Sequence, residues 1–336
     1  GYRADMDGLP ITEETGLPFA STVIDSFRGR QVGVMHACGH DLHCAVLLGI
    51  ARVLSQVRAD LPGSVLFLLE PAEEVGEGAE MLIKGGALTV AGRPVAIYAI
   101  HDNARQPYGQ VGWCPGYASA NVDDFHVKVI GRGGHGAYPH RTIDPVVIAA
   151  QIILALQSIR SREIDTTERA VITVGSIRGG DVSNVIPDEV ELRGTVRSLD
   201  PQVREQIRSA VLRTVKGIAA AAGAPEPKIR YGWGTPSVYN DPDLVAMTVP
   251  TLCRVLGDDN VVKYEPGMGG EDFSFFQREL PGFIIRLGVG RPDRDMTIHS
   301  SSFDPDERGI PLGVRVMSEV LWERAAMEGL LAPESE

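Results

Sequence analysis

Apolar and polar positions along the chain follow two rhythms, short continuous apolar runs and longer stretches with helical spacing. The runs SVLFLLE at 64–70, PVAIYAIH at 94–101 and GFIIRLGVG at 282–290 predict buried strands. The residues after HACGHDLH predict a helix, and AEMLIKGGAL at 79–88 predicts another that ends on glycine. The apolar stripe of the first helix is predicted to comprise Ala45, Leu48, Ile50, Ala51 and Leu54. Short connections marked by Gly or Pro separate these segments, so the pattern predicts an α/β fold.

A second set of strands, with a different texture, begins near residue 115. It consists of DDFHVKVIG, AVITVGSIRGG and DEVELRGTVRS, with a last strand near PKIRYGW. Two long helices are predicted to start at Asp144 with Pro145 and at Asp200 with Pro201, since Asp caps a helix and Pro suits its first position. The order β-α-β-β-α-β is ferredoxin-like. The predicted boundaries are 1–115 and 236–336 for an α/β domain and 116–235 for an inserted domain.

The chain after the inserted domain is predicted to return to the α/β domain. A third Asp-Pro pair, Asp241 and Pro242, starts a helix there. The buried strand at 282–290 follows, and a long amphipathic helix closes the chain.

Composition changes this picture little, but it excludes several classes of function. The 336 residues are 43% hydrophobic and 23% charged, which is typical of a globular protein of about two domains. A net charge of -12 and the lack of a Lys/Arg cluster are unlike a nucleic-acid-binding surface. No apolar run reaches the roughly 18 residues needed to cross a membrane. We therefore expect neither nucleic acid nor membrane as a partner.

The spacing of the four cysteines predicts a reducing compartment and not a disulfide-stabilised scaffold. Their spacing shows neither a disulfide framework nor a CxxC zinc pattern, so we expect reduced thiols and a cytoplasmic protein. The chain opens on GYRADMDGLPI, without an initiator Met and in what reads as the end of a buried strand. We therefore expect residues upstream, and these could include a targeting segment. The cysteines are Cys38, Cys44, Cys114 and Cys253.

Ligand-type side chains follow four predicted strands or open the helix between them. In an α/β sheet the carboxyl ends of the strands are the place where ligands bind. The segments are RADMD (3–7), EPAEE (70–74), IH (100–101) and TIHSSSFD (297–304), with HACGH opening a helix among them. Sulfur, imidazole and carboxylate together are the ligand set of zinc or of a borderline ion such as manganese, cobalt or nickel. These segments supply Cys38, His40, Glu73, Glu74, His101 and His299.

Each of these residues also has an ordinary structural interpretation. A His after a strand is more often a hydrogen-bonded surface or core residue than a ligand, and a lone Cys is usually a small buried hydrophobe. The two glutamates precede Glu77 and Glu80 in what could be a solvated turn. Cys38 and His40 could alternatively form the nucleophile and base of a thiol hydrolase. Spacing alone leaves metal binding, thiol chemistry and a polar loop open.

Six motifs together resemble a known family. RADMDGLPI, HACGHDLH, EPAEE, GRGGHGAYPH, NVIPDEVELRGTVRS and GGEDFSFF occur in the order and approximate spacing of the di-metal amidohydrolases related to aminoacylases and carboxypeptidases. The resemblance runs from residue 3 to about 310 and is strongest with the branch of hippurate hydrolases and plant indole-acetyl-amino-acid hydrolases. It implies a mixed-sheet, aminopeptidase-like catalytic domain with an inserted ferredoxin-like lid and dimerisation domain.

The resemblance assigns roles to residues of the catalytic domain. It implies two divalent ions per subunit, zinc, manganese, cobalt or nickel, with Cys38 as the bridging candidate. Glu73 matches the general base, which takes a proton from water and passes it to the leaving amine. Asp7 is implied to orient a ligand imidazole. The residues that match the metal-ligand positions are Cys38, His40, Glu74, His101 and His299.

Two further site residues are implied in the inserted domain, His135 and Asn184. Both would donate hydrogen bonds to the oxyanion that develops on the substrate carbonyl. Without the resemblance, a turn explains Asn184 equally well and a surface loop explains His135. An exposed sheet edge and the apolar helix VVIAAQIILAL predict a homodimer, in which His135 is implied to reach the neighbouring subunit's site. The histidines left as structural or surface residues are His36, His43, His126 and His140.

The implied reaction is metal-dependent hydrolysis of the amide bond of an N-acyl or N-aroyl amino acid to a carboxylate and a free amino acid. A small-dipeptide metallocarboxypeptidase and a deacetylase of an N-acetyl-amino-acid intermediate stay open within the same class. A non-catalytic metal-binding module is the alternative from another class. The chain departs from the family where segments before RADMD are missing, where HSSSFD has Ser in place of a common Pro, and where IHDNA lacks a later Pro.

Overall fold

The computed structural model describes residues 1–331, which contain sixteen strands and seven α-helices. No helix within these residues has the length and apolar character that a membrane span requires. The strands are β1 (Tyr2–Asp5), β2 (Ile24–Phe27), β3 (Arg30–Gly33), β4 (Phe67–Glu70), β5 (Ile97–Pro107), β6 (Val111–Trp113), β7 (Gly116–Ser119), β8 (Asp123–Ile130), β9 (Gly134–His135), β10 (Ala170–Arg178), β11 (Val185–Ile186), β12 (Glu189–Ser198), β13 (Lys228–Trp233), β14 (Val238–Asn240), β15 (Val261–Lys263) and β16 (Gly282–Gly290). The helices are α1 (His40–Gln56), α2 (Gly78–Lys84), α3 (Pro145–Arg162), α4 (Pro201–Ala221), α5 (Pro242–Leu256), α6 (Ser274–Gln277) and α7 (Gly309–Leu331).

The first of two compact units comprises Gly1–Gly116, Tyr239–Glu265 and the described chain from Asp272 onward. Its six-stranded sheet has the order β15-β6-β16-β5-β1-β4. β1 pairs in parallel with β4 and β5, and β5 pairs in parallel with β16, whereas β16 and β6 are antiparallel. This mixed sheet confirms the predicted α/β fold class.

Helix α1 packs on this sheet, and its buried face agrees with the predicted stripe at Ile50 and Leu54 but not at Leu48. Leu48 belongs to the predicted stripe, yet it is 61% exposed. Val46 and Ile50, which are four positions apart, lie on the side of the helix that faces the core. Leu48 is two positions from each of them and therefore points to the opposite side of the helix. The buried apolar residues of α1 are Leu42, Val46, Leu47, Ile50 and Leu54.

Two strands of the first unit also differ from their predictions. β5 was predicted to end at His101, but it continues to Pro107 because β16 goes on pairing with it, with a register shift between Gly288 and Gly290. β4 lies at the edge of the sheet, so Leu69 is 44% exposed within a run that was predicted to be buried. Neither difference moves the carboxyl ends of β1 and β4, where Asp5 and Glu70 lie side by side.

The three helices predicted to start at Asp-Pro pairs are confirmed. In each, the Asp side chain accepts a hydrogen bond from the main-chain N–H two residues on, at 2.9 Å for Asp144, 2.6 Å for Asp200 and 3.0 Å for Asp241. The Pro that follows has no N–H to leave unpaired in the first turn. The local sequence therefore fixes where α3, α4 and α5 begin.

The second unit comprises Tyr117–Val238 and Pro266–Glu271. Its antiparallel sheet has the order β10-β12-β8-β13, and α3 and α4 pack against it around a core that includes Phe125, Ile152 and Ile207. The chain order of these elements is β-α-β-β-α-β, as the sequence pattern predicts. A short ladder of β9 and β11 lies outside this sheet.

Candidate metal centre

The turn that opens α1 brings Cys38 and His40 together. Gly39 between them has a φ of +75°, which glycine adopts without the steric cost of a Cβ. A Cβ at this position would also lie 2.3 Å from Asp102 Oδ1. Cys38 and His40 are buried, with 5% and 1% exposure. The glycine of HACGH is therefore required both by the turn and by the carboxylate packed against it.

The two glutamates of EPAEE leave β4 through a strained turn. Ala72 has a φ of +62°, a left-handed conformation that non-glycine residues adopt only at a cost. Glu73 and Glu74 start the short 3-10 turn that follows, and the Glu74 N–H donates to Asp7 Oδ2 at 3.1 Å. His299 also has a φ of +62°. Non-glycine residues with positive φ thus occur next to the predicted base Glu73 and at the predicted ligand His299, on two separate loops.

The predicted ligands form two groups that share Cys38. Possible ligand atoms of Cys38, His40 and His101 lie within 4.8 Å of one another, and so do those of Cys38, Glu74 and His299. Cys38 Sγ lies 3.8 Å from His101 Nε2, and His299 Nε2 lies 3.3 Å from Glu74 Oε1. One sulfur with two sets of partners is the arrangement that a bridged pair of cations requires.

Buried atoms without a hydrogen bond show that this donor set suits a cation. His40 Nε2 is buried and has no hydrogen-bond partner among the described residues, and buried Glu74 Oε1 has none besides its ion-pair contact with His299. A buried polar atom without a partner costs free energy, and such atoms in native structures usually mark an ion or a function. Thiolate, imidazole and carboxylate are all donors to divalent zinc-like ions. The residues present therefore fit the dinuclear centre that the resemblance implies.

The other ring nitrogen of each central histidine is fixed by a hydrogen bond. His40 Nδ1 lies 3.1 Å from Asp7 Oδ1, and His101 Nδ1 lies 2.8 Å from the Asp102 main-chain oxygen. A proton held at Nδ1 leaves the Nε2 lone pair available for a metal. Asp7 thus lies in the place from which it could orient His40, and its role remains a prediction.

A buried network of charges lies behind these residues, and sequence reasoning missed it. Arg3 is 1% exposed and donates to Glu70 at 2.7 Å, to Asp5 at 2.8 Å and to Asp272 at 3.1 Å. Asp5 Oδ1 in turn lies 2.5 Å from Nδ1 of His43. Periodicity does offer one signal, because His43 follows His40 by three residues and therefore shares its side of α1.

His43 lies between two carboxylates. Its Nε2 is 3.1 Å from Asp102 Oδ1 and 2.9 Å from the Asp102 main-chain N. The main-chain contact suits a neutral ring, whereas the carboxylate suits a protonated one. Burial opposes the charged form, but the Asp5 and Asp102 carboxylates outweigh it and raise the pKa of His43 to about 10.

The electrostatics of the centre favour cations. Burial first, and then the carboxylates of Glu74 and Asp102, raise the pKa of the Cys38 thiol. Burial also raises the pKa of Glu74 against the opposing effect of His299 and His40. For Asp102, burial acts to raise the pKa, but the hydrogen bond with His43 lowers it overall. A cation bound among these carboxylates would favour deprotonation of the Cys38 thiol.

His135 lies on β9 and Asn184 directly precedes β11, both in the second unit. β9 and β11 place His135 opposite Val185, and the Gly136 N–H donates to the Asn184 main-chain oxygen at 2.8 Å. His135 is exposed, and its Nδ1 accepts from the Ala137 N–H at 3.1 Å. The structure therefore brings these two residues together on one surface, and their roles stay predictions.

The histidines to which the sequence analysis assigned no role lie in different surroundings from one another. His36 is exposed, with Nδ1 3.2 Å from the Asp7 main-chain oxygen. His126 on β8 lies 3.3 Å from Glu191, and His140 packs edge-on against the Tyr138 ring. These three fit the structural or surface interpretation, and so does His43, which is buried and hydrogen-bonded to Asp5.

Comparison with known proteins shows the family to which the chain belongs. The model of peptidase family M20/M25/M40 matches residues 1–323. An N-acetylcysteine deacetylase of Bacillus subtilis is 36% identical over 318 residues, which cover 95% of this chain and 79% of that protein. An N-acetyldiaminopimelate deacetylase of Lactiplantibacillus plantarum is 37% identical over 330 residues, which cover 97% of this chain and 82% of that protein.

A solved structure agrees with these relatives. It is a dinuclear metal binding peptidase of the M20 family from Bacillus subtilis, with a TM-score of 0.82 and 34% identity. The match covers 97% of this chain and 81% of that one. The family model spans nearly the whole chain and the relatives exceed 30% identity over most of their own length, so this chain belongs to peptidase family M20/M25/M40 and is a hydrolase of that family.

Proposed function

We propose that the protein hydrolyses the amide bond of N-acetyl and other short N-acyl amino acids, using two divalent ions. The observation that carries this proposal is that Cys38 is shared by two groups of ligand-type side chains. Two relatives are named as deacetylases of N-acetylcysteine and N-acetyldiaminopimelate. Within the predicted class of N-acyl and N-aroyl amino acids, these names favour the deacetylase reading.

The chain would hold the two ions with five side chains. Cys38, His40 and His101 would hold one, and Cys38, Glu74 and His299 the other. When bound, such ions polarise a carbonyl group and lower the pKa of water. The mixed donor set suits zinc, manganese, cobalt or nickel.

Glu73 would supply the proton transfers. Its Oε2 lies 3.9 Å from His40 Nε2, and its side chain is 11% exposed. As the water oxygen bonds to the carbonyl carbon, Glu73 accepts one water proton. Glu73 then gives this proton to the amide nitrogen as the C–N bond breaks. The products are a carboxylic acid, which ionises in solution, and a free amine.

His135 and Asn184 would donate hydrogen bonds to the carbonyl oxygen as negative charge develops on it. We propose further that the protein is a homodimer and that His135 serves the site of the neighbouring subunit. Exposed apolar residues of the second unit support a partner there. Val147 and Leu154 on α3 are 52% and 72% exposed, and the adjacent β10 is an edge strand.

The thiol-hydrolase alternative has less support. Nucleophilic cysteines have lowered pKa values and lie in electropositive surroundings. Burial and nearby carboxylates instead raise the pKa of Cys38. A non-catalytic metal-binding module would not need Glu73, which lies beside the shared centre.

A substrate screen tests the proposal. Protein reconstituted with manganese, zinc or cobalt is incubated with N-acetyl, N-benzoyl and indole-acetyl amino acids and with dipeptides, and the released amine is measured. We expect N-acetyl amino acids to be hydrolysed fastest and a chelated sample to release none. Release from dipeptides alone would favour the carboxypeptidase alternative, and release from none of the compounds would contradict the proposal.

A further inference from the structure

We propose that His43 is a positioning residue for the metal centre, and this inference rests on the dinuclear centre of the proposed function. His43 would not bind metal itself. It would hold Asp5 and Asp102 and keep the rings of His40 and His101 at a fixed separation.

The hydrogen bonds of His43 argue against a ligand role. Asp5 lies against Nδ1 at 2.5 Å, and Asp102 lies against Nε2 with both its carboxylate and its main-chain N–H. Both ring nitrogens are therefore engaged. His40 Nε2, in contrast, is buried without a hydrogen-bond partner among residues 1–331. Of the two imidazoles, only the one of His40 has a nitrogen left for a cation.

The ring of His43 packs beside both histidines of the first ligand group. Its centroid is 5.6 Å from that of His40, with the rings 29° from parallel, and 5.0 Å from that of His101. His43 is 1% exposed, so the ring has no room to turn away. A smaller side chain here would leave both ligand rings without a neighbour on that side.

The anchors of His43 are themselves fixed. Asp5 is held by Arg3, whose other guanidinium contacts go to Glu70 and Asp272, all with side chains at 0% exposure. Asp102 is packed against Gly39, between Cys38 and His40. The chain of contacts therefore joins β1 to the turn that carries two ligands. Supporting residues of this kind typically contribute 10–100-fold to metal affinity.

The test measures metal binding without any substrate. Metal-free wild type, His43→Gln and His43→Leu are titrated with Co²⁺, and absorption spectra give the affinity, the number of ions and the ligand geometry. His43→Gln can keep one of the two hydrogen bonds, whereas His43→Leu keeps none. His126→Gln, in the second unit, is the matched control. Circular dichroism checks that each variant is folded.

We expect two Co²⁺ ions per chain in every folded variant. Affinity should fall about 10–100-fold in His43→Leu and less in His43→Gln, with a shifted spectrum, while His126→Gln matches wild type. Wild-type affinity and spectrum in both His43 variants would overturn the inference, and so would the loss of one whole ion, which would make His43 a ligand. If His43→Leu fails to fold, His43→Gln decides alone.

The outcome separates the inference from the proposed function. Wild type that binds two Co²⁺ ions but hydrolyses no N-acyl amino acid contradicts the function only. Wild type that binds no Co²⁺ contradicts both, because no centre would then exist for His43 to position.

Discussion

Cys38 lies where the two groups of ligand-type side chains meet, and we propose that its protonation controls the binding of cations to both. Burial and the surrounding carboxylates raise the pKa of its thiol, so the thiol keeps its proton at neutral pH. A metal binds the thiolate and must displace that proton. The proposed metal binding at this residue would therefore be coupled to pH.

We predict that the apparent affinity for Co²⁺ rises with pH. Below the raised pKa of Cys38 each step up in pH makes release of the thiol proton easier, by about tenfold per pH unit for one proton. Titrations of metal-free protein between about pH 6 and 8 measure the slope. Cys38→Ser should bind more weakly and with a smaller slope, and a pH-independent affinity of wild type would contradict the coupling.

Glu73→Gln separates proton transfer from metal binding. The amide keeps the size and hydrogen bonds of Glu73 but cannot accept the proton, so turnover should fall by about two to four orders of magnitude. Metal content should stay near that of wild type. Glu77→Gln, at an exposed position nearby, is the control. Surviving turnover with lost metal would mean that Glu73 and Glu74 have exchanged roles.

The sequence predicts single residues of the centre better than it predicts their supports. Ligand-type residues stand out because their chemistry is unusual at strand ends. His43 does not, since its partners Asp5 and Asp102 lie 38 and 59 positions away and only the fold brings them together. A charged residue such as Arg3 is expected at the surface from its sequence alone, but the fold buries it.

At the scale of elements, the centre depends on three loops with constrained backbones. Gly39 precedes α1, Ala72 follows β4, and His299 follows β16, all with positive φ. Strained conformations persist where the surrounding structure holds them, often at functional sites. These segments carry the predicted ligands Cys38, Glu74 and His299, whereas His40 begins α1 and His101 lies in β5.

Gly39→Ala should damage the centre through the backbone. The added methyl group would lie 2.3 Å from Asp102 Oδ1, and the alanine would have to adopt a φ of +75°. We therefore expect a loss of about 1–3 kcal/mol in the free energy of unfolding and weaker metal binding. Denaturant unfolding of the metal-free protein and metal analysis measure these effects. Gly217→Ala is the control, since a Cβ there meets no atom within 4 Å in the interior of α4. It should raise stability by about 0.5–1 kcal/mol.

Local signals explain which elements were predicted well. The starts of α3, α4 and α5 depend on contacts between an Asp side chain and the main chain two or three residues on. The local sequence is therefore enough to predict them. The buried face of α1 and the exposure of β4 depend on which elements pack against them. Leu48 and Leu69 are apolar in the sequence but exposed in the fold, and their hydrophobicity alone could not reveal this.

At the scale of the whole molecule, the proposed sharing of sites between subunits makes a specific prediction. His135→Ala and Glu73→Gln should each be nearly inactive. If His135 serves the neighbouring subunit, a mixed dimer carries both lesions in one site and neither in the other. Activity should then rise well above both parents when the two variants exchange subunits. Mixed dimers confirmed by mass, without recovery of activity, would contradict the shared site.

The central claim is that two ions held through Cys38 are needed for hydrolysis. The most direct measurement follows hydrolysis of an N-acetyl amino acid while metal-free protein is titrated with manganese or zinc. The account predicts no activity at the start, full activity only as about two ions per chain are bound, and loss of activity on chelation. Full turnover by protein that elemental analysis shows to be free of metal would contradict it.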